Sequence, residues 1–123
     1  MNAETAGYFG KREEEFIGLL TDIGTRKNAA RILVFLTRVP QATSREIELV
    51  THLRQSEICG EMKFLQTKKW VTNSECKGEG RGRPTIIYRL AKPVDKIMDI
   101  IREEKVKETR HQLALAKKLR DYI

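Results

Sequence analysis

Apolar positions recur with a helical period through most of the chain and switch to alternation only after Trp70. From Lys11 to Ile23 an acidic opening of Glu13, Glu14 and Glu15 precedes Phe16, Ile17, Leu19, Leu20 and Ile23. That spacing predicts a helix whose acidic start suits the helix dipole and which Gly24 ends. A second helix, capped by Thr25 or Asn28, is expected to reach Arg38. Its buried stripe is Ala29, Ile32, Leu33 and Leu36, widened by Val34 and Phe35, and Pro40 stops it. Thr43 and Glu46 have the spacing of a capping box, which opens a short helix through Ile47, Leu49 and Val50. Thr51 to Arg54 reads as a brief turn. The next helix, Gln55 to Lys69, carries Ile58, Met62 and Leu65 at helical spacing.

Beyond Trp70 the period becomes that of a strand. Val71 to Cys76 and Thr85 to Leu90 are rich in β-branched residues and alternate, with Ile86, Tyr88 and Leu90 on one face. Between them Lys77-Gly-Glu-Gly-Arg81-Gly82-Arg83-Pro84 forms a glycine-punctuated hairpin tip. Pro93 opens a long helix toward the C-terminus. Helix, helix, short helix, helix, strand, basic loop, strand, helix is the order of a helix-turn-helix followed by a wing. The expected fold is therefore mostly α with a small β-hairpin, a winged helix-turn-helix with extra N- and C-terminal helices. Its expected divisions are a frayed stretch 1–10, a domain 11–92, and a C-terminal helical element 93–123.

Charge sharpens this picture. The chain of 123 residues carries a formal net charge of +7. Residues 1–22 hold two basic and five acidic side chains, 23–92 hold fourteen and six, and 93–123 hold eight and six. The positive charge belongs to the middle of the chain, which favours a polyanionic partner. The longest apolar runs, Ile32–Leu36 and Ile97–Ile101, are too short to cross a bilayer, and no signal peptide is legible, so a cytoplasmic location is expected. Cys59 and Cys76 are far apart and form no Cys-x-x-Cys pattern, which argues against a disulfide framework or a zinc knuckle.

With Ile58, Met62 and Leu65 facing the core, the helix from Gln55 offers Gln55, Ser56, Glu57, Gly60, Glu61, Lys63, Thr67 and Lys68 outward. Gln55 and Ser56 near its start are of the type that reads base edges, and Gly60 lets a backbone come close. Glu57 and Glu61 oppose phosphate contact; they either accept from cytosine amino groups or pair with Arg54 and Lys63. Ser44, Arg45 and Arg54 lie on the approach to this helix. In the hairpin, Lys77, Arg81, Gly82 and Arg83 make a slender basic tip suited to the narrow, electronegative minor groove. Arg81-Gly-Arg-Pro84 also resembles the core of an AT-hook, with the same mechanism. A phosphate-cradling P-loop would need a helix after the glycines, whereas a strand follows.

The C-terminal helix carries Val94, Ile97, Met98, Ile100, Ile101, Val106, Leu113, Leu115 and Leu119, without a clean heptad seam. Its expected role is dimerisation: Ile97, Ile101, Leu113, Leu115 and Leu119 of one subunit against Phe16, Leu19 and Leu20 of another. Folding back onto its own domain is the alternative. Cys59 is expected to be a small core residue, and Met98 core filler. His52 and His111 have no ligand-spaced neighbours, so no metal and no cofactor is expected.

The run Leu53-Arg-Gln55-Ser-Glu-Ile-Cys59, continuing to Lys68-Lys-Trp-Val71, is similar to the recognition-helix region of archaeal winged-helix transcriptional regulators, relatives of the ArsR, MarR and TrmB groups. Gly80-Arg-Gly-Arg-Pro84 followed by Ile87-Tyr-Arg-Leu90 resembles their wing, and Thr43-Ser-Arg-Glu-Ile47 the start of their preceding helix. The resemblance spans residues 24–92. It implies sequence-specific binding of double-stranded DNA as a homodimer, with Gln55 and Ser56 in the major groove and Arg81 and Arg83 in the minor groove. The metal-sensing cysteine motif of the ArsR group is missing. No hydrolase or kinase motif and no Ser-His-Asp order stands out, so the chain is expected not to be an enzyme. The other reading kept open is a winged-helix protein-interaction module within a larger complex.

Overall fold

The computed structural model describes residues 9–76 and 85–123. It divides into two units, one ending at Lys92 and the other comprising Pro93–Ile123.

In the first unit, helix α1 spans Lys11–Asp22, with Gly10 as its N-cap and Glu13 and Glu14 in its first turn. Gly24 ends it at φ +116°, a backbone conformation that favours glycine. The Gly24 N–H donates to the Thr21 carbonyl at 3.1 Å and the Thr25 N–H to the Leu20 carbonyl at 2.9 Å, the two bonds of a Schellman ending. Helix α2, Lys27–Arg38, is the centre of the core: Ala29, Ala30, Ile32, Leu33, Val34, Phe35 and Leu36 are all buried. Burial contributes about 1.5–3 kcal/mol for each of its larger aliphatic side chains. The cap of α2 is Arg26, with no side-chain bond to the helix, and neither Thr25 nor Asn28 serves. Helix α1 packs along α2, and α2 in turn supports α3 (Ser44–Thr51) and α4 (Gln55–Thr67). Glu13 and Arg38 clip the start of α1 to the end of α2 at 3.0 Å.

The sheet has three antiparallel strands rather than the two expected, in the order β1-β3-β2. Strand β1 is only Ala42–Thr43. Strands β2 (Val71–Cys76) and β3 (Thr85–Leu90) form the hairpin, in a register running from Val71 opposite Leu90 to Cys76 opposite Thr85. Ala42 faces Tyr88 and Thr43 faces Ile87 across β1 and β3. At the hairpin base the Ala91 N–H donates to the Trp70 carbonyl at 2.8 Å. Of the expected apolar face of β3, Tyr88 is buried, Leu90 half-buried and Ile86 exposed.

The second unit is α5, a helix of 25 residues from Val94 to Lys118 with Pro93 as its cap, continued by a short 3-10 turn at Leu119–Tyr122. Its buried residues are Ile97 and Ile101, and every residue from Lys107 onward is exposed. Among the described residues no helix is long and apolar enough to cross a membrane.

Candidate nucleic-acid interface

The site is built from α3, the turn after it, and α4. Thr43 opens α3 with a complete capping box: its hydroxyl accepts from the Glu46 N–H at 3.1 Å, and the Glu46 carboxylate accepts from the Thr43 N–H at 2.8 Å. Ile47 and Thr51 are the buried positions of α3, while Leu49, expected on its apolar face, is 65% exposed. The turn is set by Thr51 and His52. The buried Thr51 hydroxyl donates to the Ile47 carbonyl at 2.6 Å and accepts from the Leu53 N–H at 3.3 Å. His52 takes the left-handed conformation at φ 60°, its N–H donating to the Glu48 carbonyl at 2.9 Å. Leu53 is buried, and the chain re-enters a helix at Gln55.

At the start of α4 the Glu57 carboxylate accepts from the Arg54 N–H at 2.9 Å. Glu57 therefore satisfies the helix entrance through the Arg54 backbone. Gln55, Ser56, Cys59, Gly60, Lys63 and Thr67 are exposed along α4. The Thr67 hydroxyl donates to the Lys63 carbonyl at 2.8 Å. A Cβ built on Gly60 would meet nothing within 4 Å. Among the described residues no neighbour requires glycine there, although glycine costs about 1 kcal/mol in a helix interior.

Two expectations on α4 are corrected. Glu61 does not face outward with Lys63: it is buried and ion-paired to Arg26 at 3.2 Å. Its Oε1 has no hydrogen-bond donor aligned on it, so this contact is one of charge rather than a directed bond. Cys59 is exposed rather than a core residue. It sits four residues after Gln55 and four before Lys63, one helical turn from each, and this spacing was the available signal. Behind α4, Arg26 and Lys68 lie over the Phe64 ring, each at 5.9 Å, and Lys68 also lies 5.7 Å from Trp70. Phe64 and Trp70 meet edge to face, 6.3 Å between ring centres. Lys68 is thus held half-buried at the foot of the helix. On the sheet side, Tyr88 is buried near Cys59. Burial first, and then the charge of an ionised Cys59, hold its phenol above the ordinary 10.0.

Beside the entrance to α4 lies an open groove of about 690 Å³ lined by Arg45, Glu48, Leu49, His52, Leu53 and Arg54. Arg45 and Arg54 are exposed at it, and Ser44 is half-buried at the start of α3. The structure thus brings Ser44, Arg45, Arg54, Gln55, Ser56, Gly60 and Lys63 onto the helix-turn-helix. Lys77, Arg81, Gly82 and Arg83 lie outside the described residues, between strands β2 and β3. Among the described residues no group of His, Cys, Asp and Glu could hold a metal ion.

Of the residues expected at a subunit contact, Leu19, Leu113, Leu115 and Leu119 are exposed and Phe16 is half-buried. Leu20, Ile97 and Ile101 are buried.

These features define a winged helix-turn-helix. The chain is similar in structure to a protein described as a possible transcriptional regulator from Methanosarcina mazei Go1, with 18% identity and a TM-score of 0.64 over 85% of this chain and 86% of that one. It is also similar to overoxidized AbfR, whose structure was determined bound to DNA (18% identity, TM-score 0.54, 96% and 90% of the two chains). A third likeness is to a MarR-family transcriptional regulator from Silicibacter pomeroyi (15% identity, TM-score 0.52, 93% and 83%). At such identities the likeness establishes the fold. No protein-family model and no curated protein matches the sequence.

Proposed function

We propose that this chain is a transcription regulator that binds double-stranded DNA sequence-specifically as a homodimer and performs no catalysis. Residues 11–92 act as the DNA-binding domain and 93–123 as a dimerisation element. Helix α4 enters the major groove, with Gln55, Ser56, Gly60 and Lys63 toward base edges and backbone. Arg45, Arg54 and Thr67 flank it toward the phosphates, whereas Lys68, expected among these contacts, is engaged with Phe64 and Trp70. The hairpin tip, with Lys77, Arg81, Gly82 and Arg83, enters the minor groove. The observation that carries this reading is the exposed polar face of α4. It ends at a capped, left-handed turn with Arg45 and Arg54 beside it, and it includes a glycine that nothing among the described residues requires. That AbfR was seen on DNA supports the reading by analogy of fold.

Fluorescence anisotropy on mixed-sequence duplex DNA across a salt series tests it. Binding with a Kd of about 10⁻⁴ to 10⁻⁶ M that weakens steeply with salt is expected before any preferred site is selected. No binding even at low salt would overturn it in favour of a protein-interaction module.

A further inference from the structure

Gly60 is accounted for by the proposed DNA contact; Gly18 is not. It lies in the interior of α1, exposed, and a Cβ built on it would meet nothing within 4 Å. Its backbone takes no conformation that demands glycine. Glycine is the least helix-favouring residue after proline, and nothing among the described residues explains it here. The residues around it on the helix surface are Glu14, Glu15 and Asp22, all exposed, and the half-buried Thr21, with Lys11 two turns toward the N-terminus. Leu19 beside it is 69% exposed, at the edge of a groove of about 350 Å³ lined by Arg12, Glu15, Phe16, Leu19 and Arg38.

A second small residue stands in the opposite electrostatic setting. Ala114 on α5 is surrounded by Arg110, His111, Lys117 and Lys118, with Asp121 two turns toward the C-terminus and the exposed Leu113 and Leu115 on either side. We infer that α1 of one protomer crosses α5 of a second copy antiparallel, with Gly18 against Ala114. This rests on the homodimer proposed above and specifies its contact. In that register Glu14 falls opposite Lys118, Glu15 opposite Lys117, Asp22 opposite Arg110 and Lys11 opposite Asp121, so all four pairs are of unlike charge. A parallel crossing keeps only two unlike pairs, Glu14 with Arg110 and Asp22 with Lys118, and sets Lys11 against Lys107. Crossing α1 with its own copy sets Glu14 against Asp22, and crossing α5 with its own copy sets Arg110 against Lys118. Small residues at the crossing bring the helix axes close enough for Leu19, Leu113 and Leu115 to be covered. In a twofold dimer the contact occurs twice.

Sedimentation equilibrium on the full chain with two charge-reversed variants, E14K/E15K and K117E/K118E, tests the crossing. Each variant alone should dimerise about tenfold more weakly than the parent. Mixed in equal amounts they should form a heterodimer of nearly parental strength. One crossing then pairs both altered helices and the other pairs both parental ones, and no contact within a single chain could be rescued by mixing. Gly18→Leu should also weaken the dimer while circular dichroism shows the helices intact. A parental Kd in both charge variants, or no rescue on mixing, overturns the crossing while the homodimer stands. A parent that stays monomeric overturns both.

Discussion

The Arg26 guanidinium stands 3.2 Å from the Glu61 carboxylate, tying the residue that caps α2 to the middle of α4. The pair is lopsided: the Arg26 side chain is 62% exposed and that of Glu61 9%. Solvent around Arg26 keeps the attraction itself small, but removing Arg26 leaves a buried carboxylate with no counter-charge among the described residues. Arg26→Ala should lose about 1 kcal/mol in urea unfolding. Arg26→Ala with Glu61→Met should regain most of it. A single variant as stable as the parent would mean that water already solvates Glu61.

Gly60 separates folding from binding. Because the space around its would-be Cβ is empty, Gly60→Ala should stabilise the fold by about 1 kcal/mol through helix propensity alone. On the DNA-binding reading the same methyl group weakens binding, because it holds the helix away from the groove. A thermal melt and an anisotropy titration on one preparation read both. A rise in stability with unchanged affinity would remove Gly60 from the interface.

The capping box of α3 gives a third test. Thr43→Ala deletes the hydroxyl that accepts from Glu46 and should cost about 1 kcal/mol, measured as a lower urea midpoint at unchanged slope. Thr43→Ser should cost far less, since it keeps the acceptor.

Tyr88 makes stability depend on alkaline pH. Its folded-state pKa lies above the ordinary 10.0, so the unfolded phenol ionises first while the buried one keeps its proton. Its contribution is complete below pH 10.0 and is lost as pH rises through the higher folded value. Tyr88→Phe should remove that component. Parent and variant melts should therefore diverge above pH 10.0, with the parent falling faster. Parallel curves would count against burial of an uncharged phenol.

Much of the fold could be read from local signals. The Thr43–Glu46 box, the Gly24 ending and both hairpin strands occur where residue type and spacing place them, because each depends on residues close in sequence. Strand β1 escaped because two residues carry no period; it exists through pairing with distant β3. Glu61 shows a different failure. Ile58, Glu61, Met62 and Leu65 follow the helical repeat of a buried face, so its position was legible. Its charge pointed outward only because its partner, Arg26, belongs to another element. Arg26 is also the cap where Thr25 and Asn28 offered better side chains, and its guanidinium is held at Glu61 and Phe64.

Thr43 serves two elements at once: it lies opposite Ile87 in the sheet and caps the helix that leads into the turn. The hairpin and the helix-turn-helix therefore share a hinge pin rather than a tether. On the DNA-binding reading, helix α4 and the paired strands of the hairpin then keep a fixed span, like a caliper locked at one setting. Inserting a single base pair between the segment met by α4 and the segment met by the hairpin would displace one of them. The spacing within a binding site would then be as much a part of its message as the bases themselves.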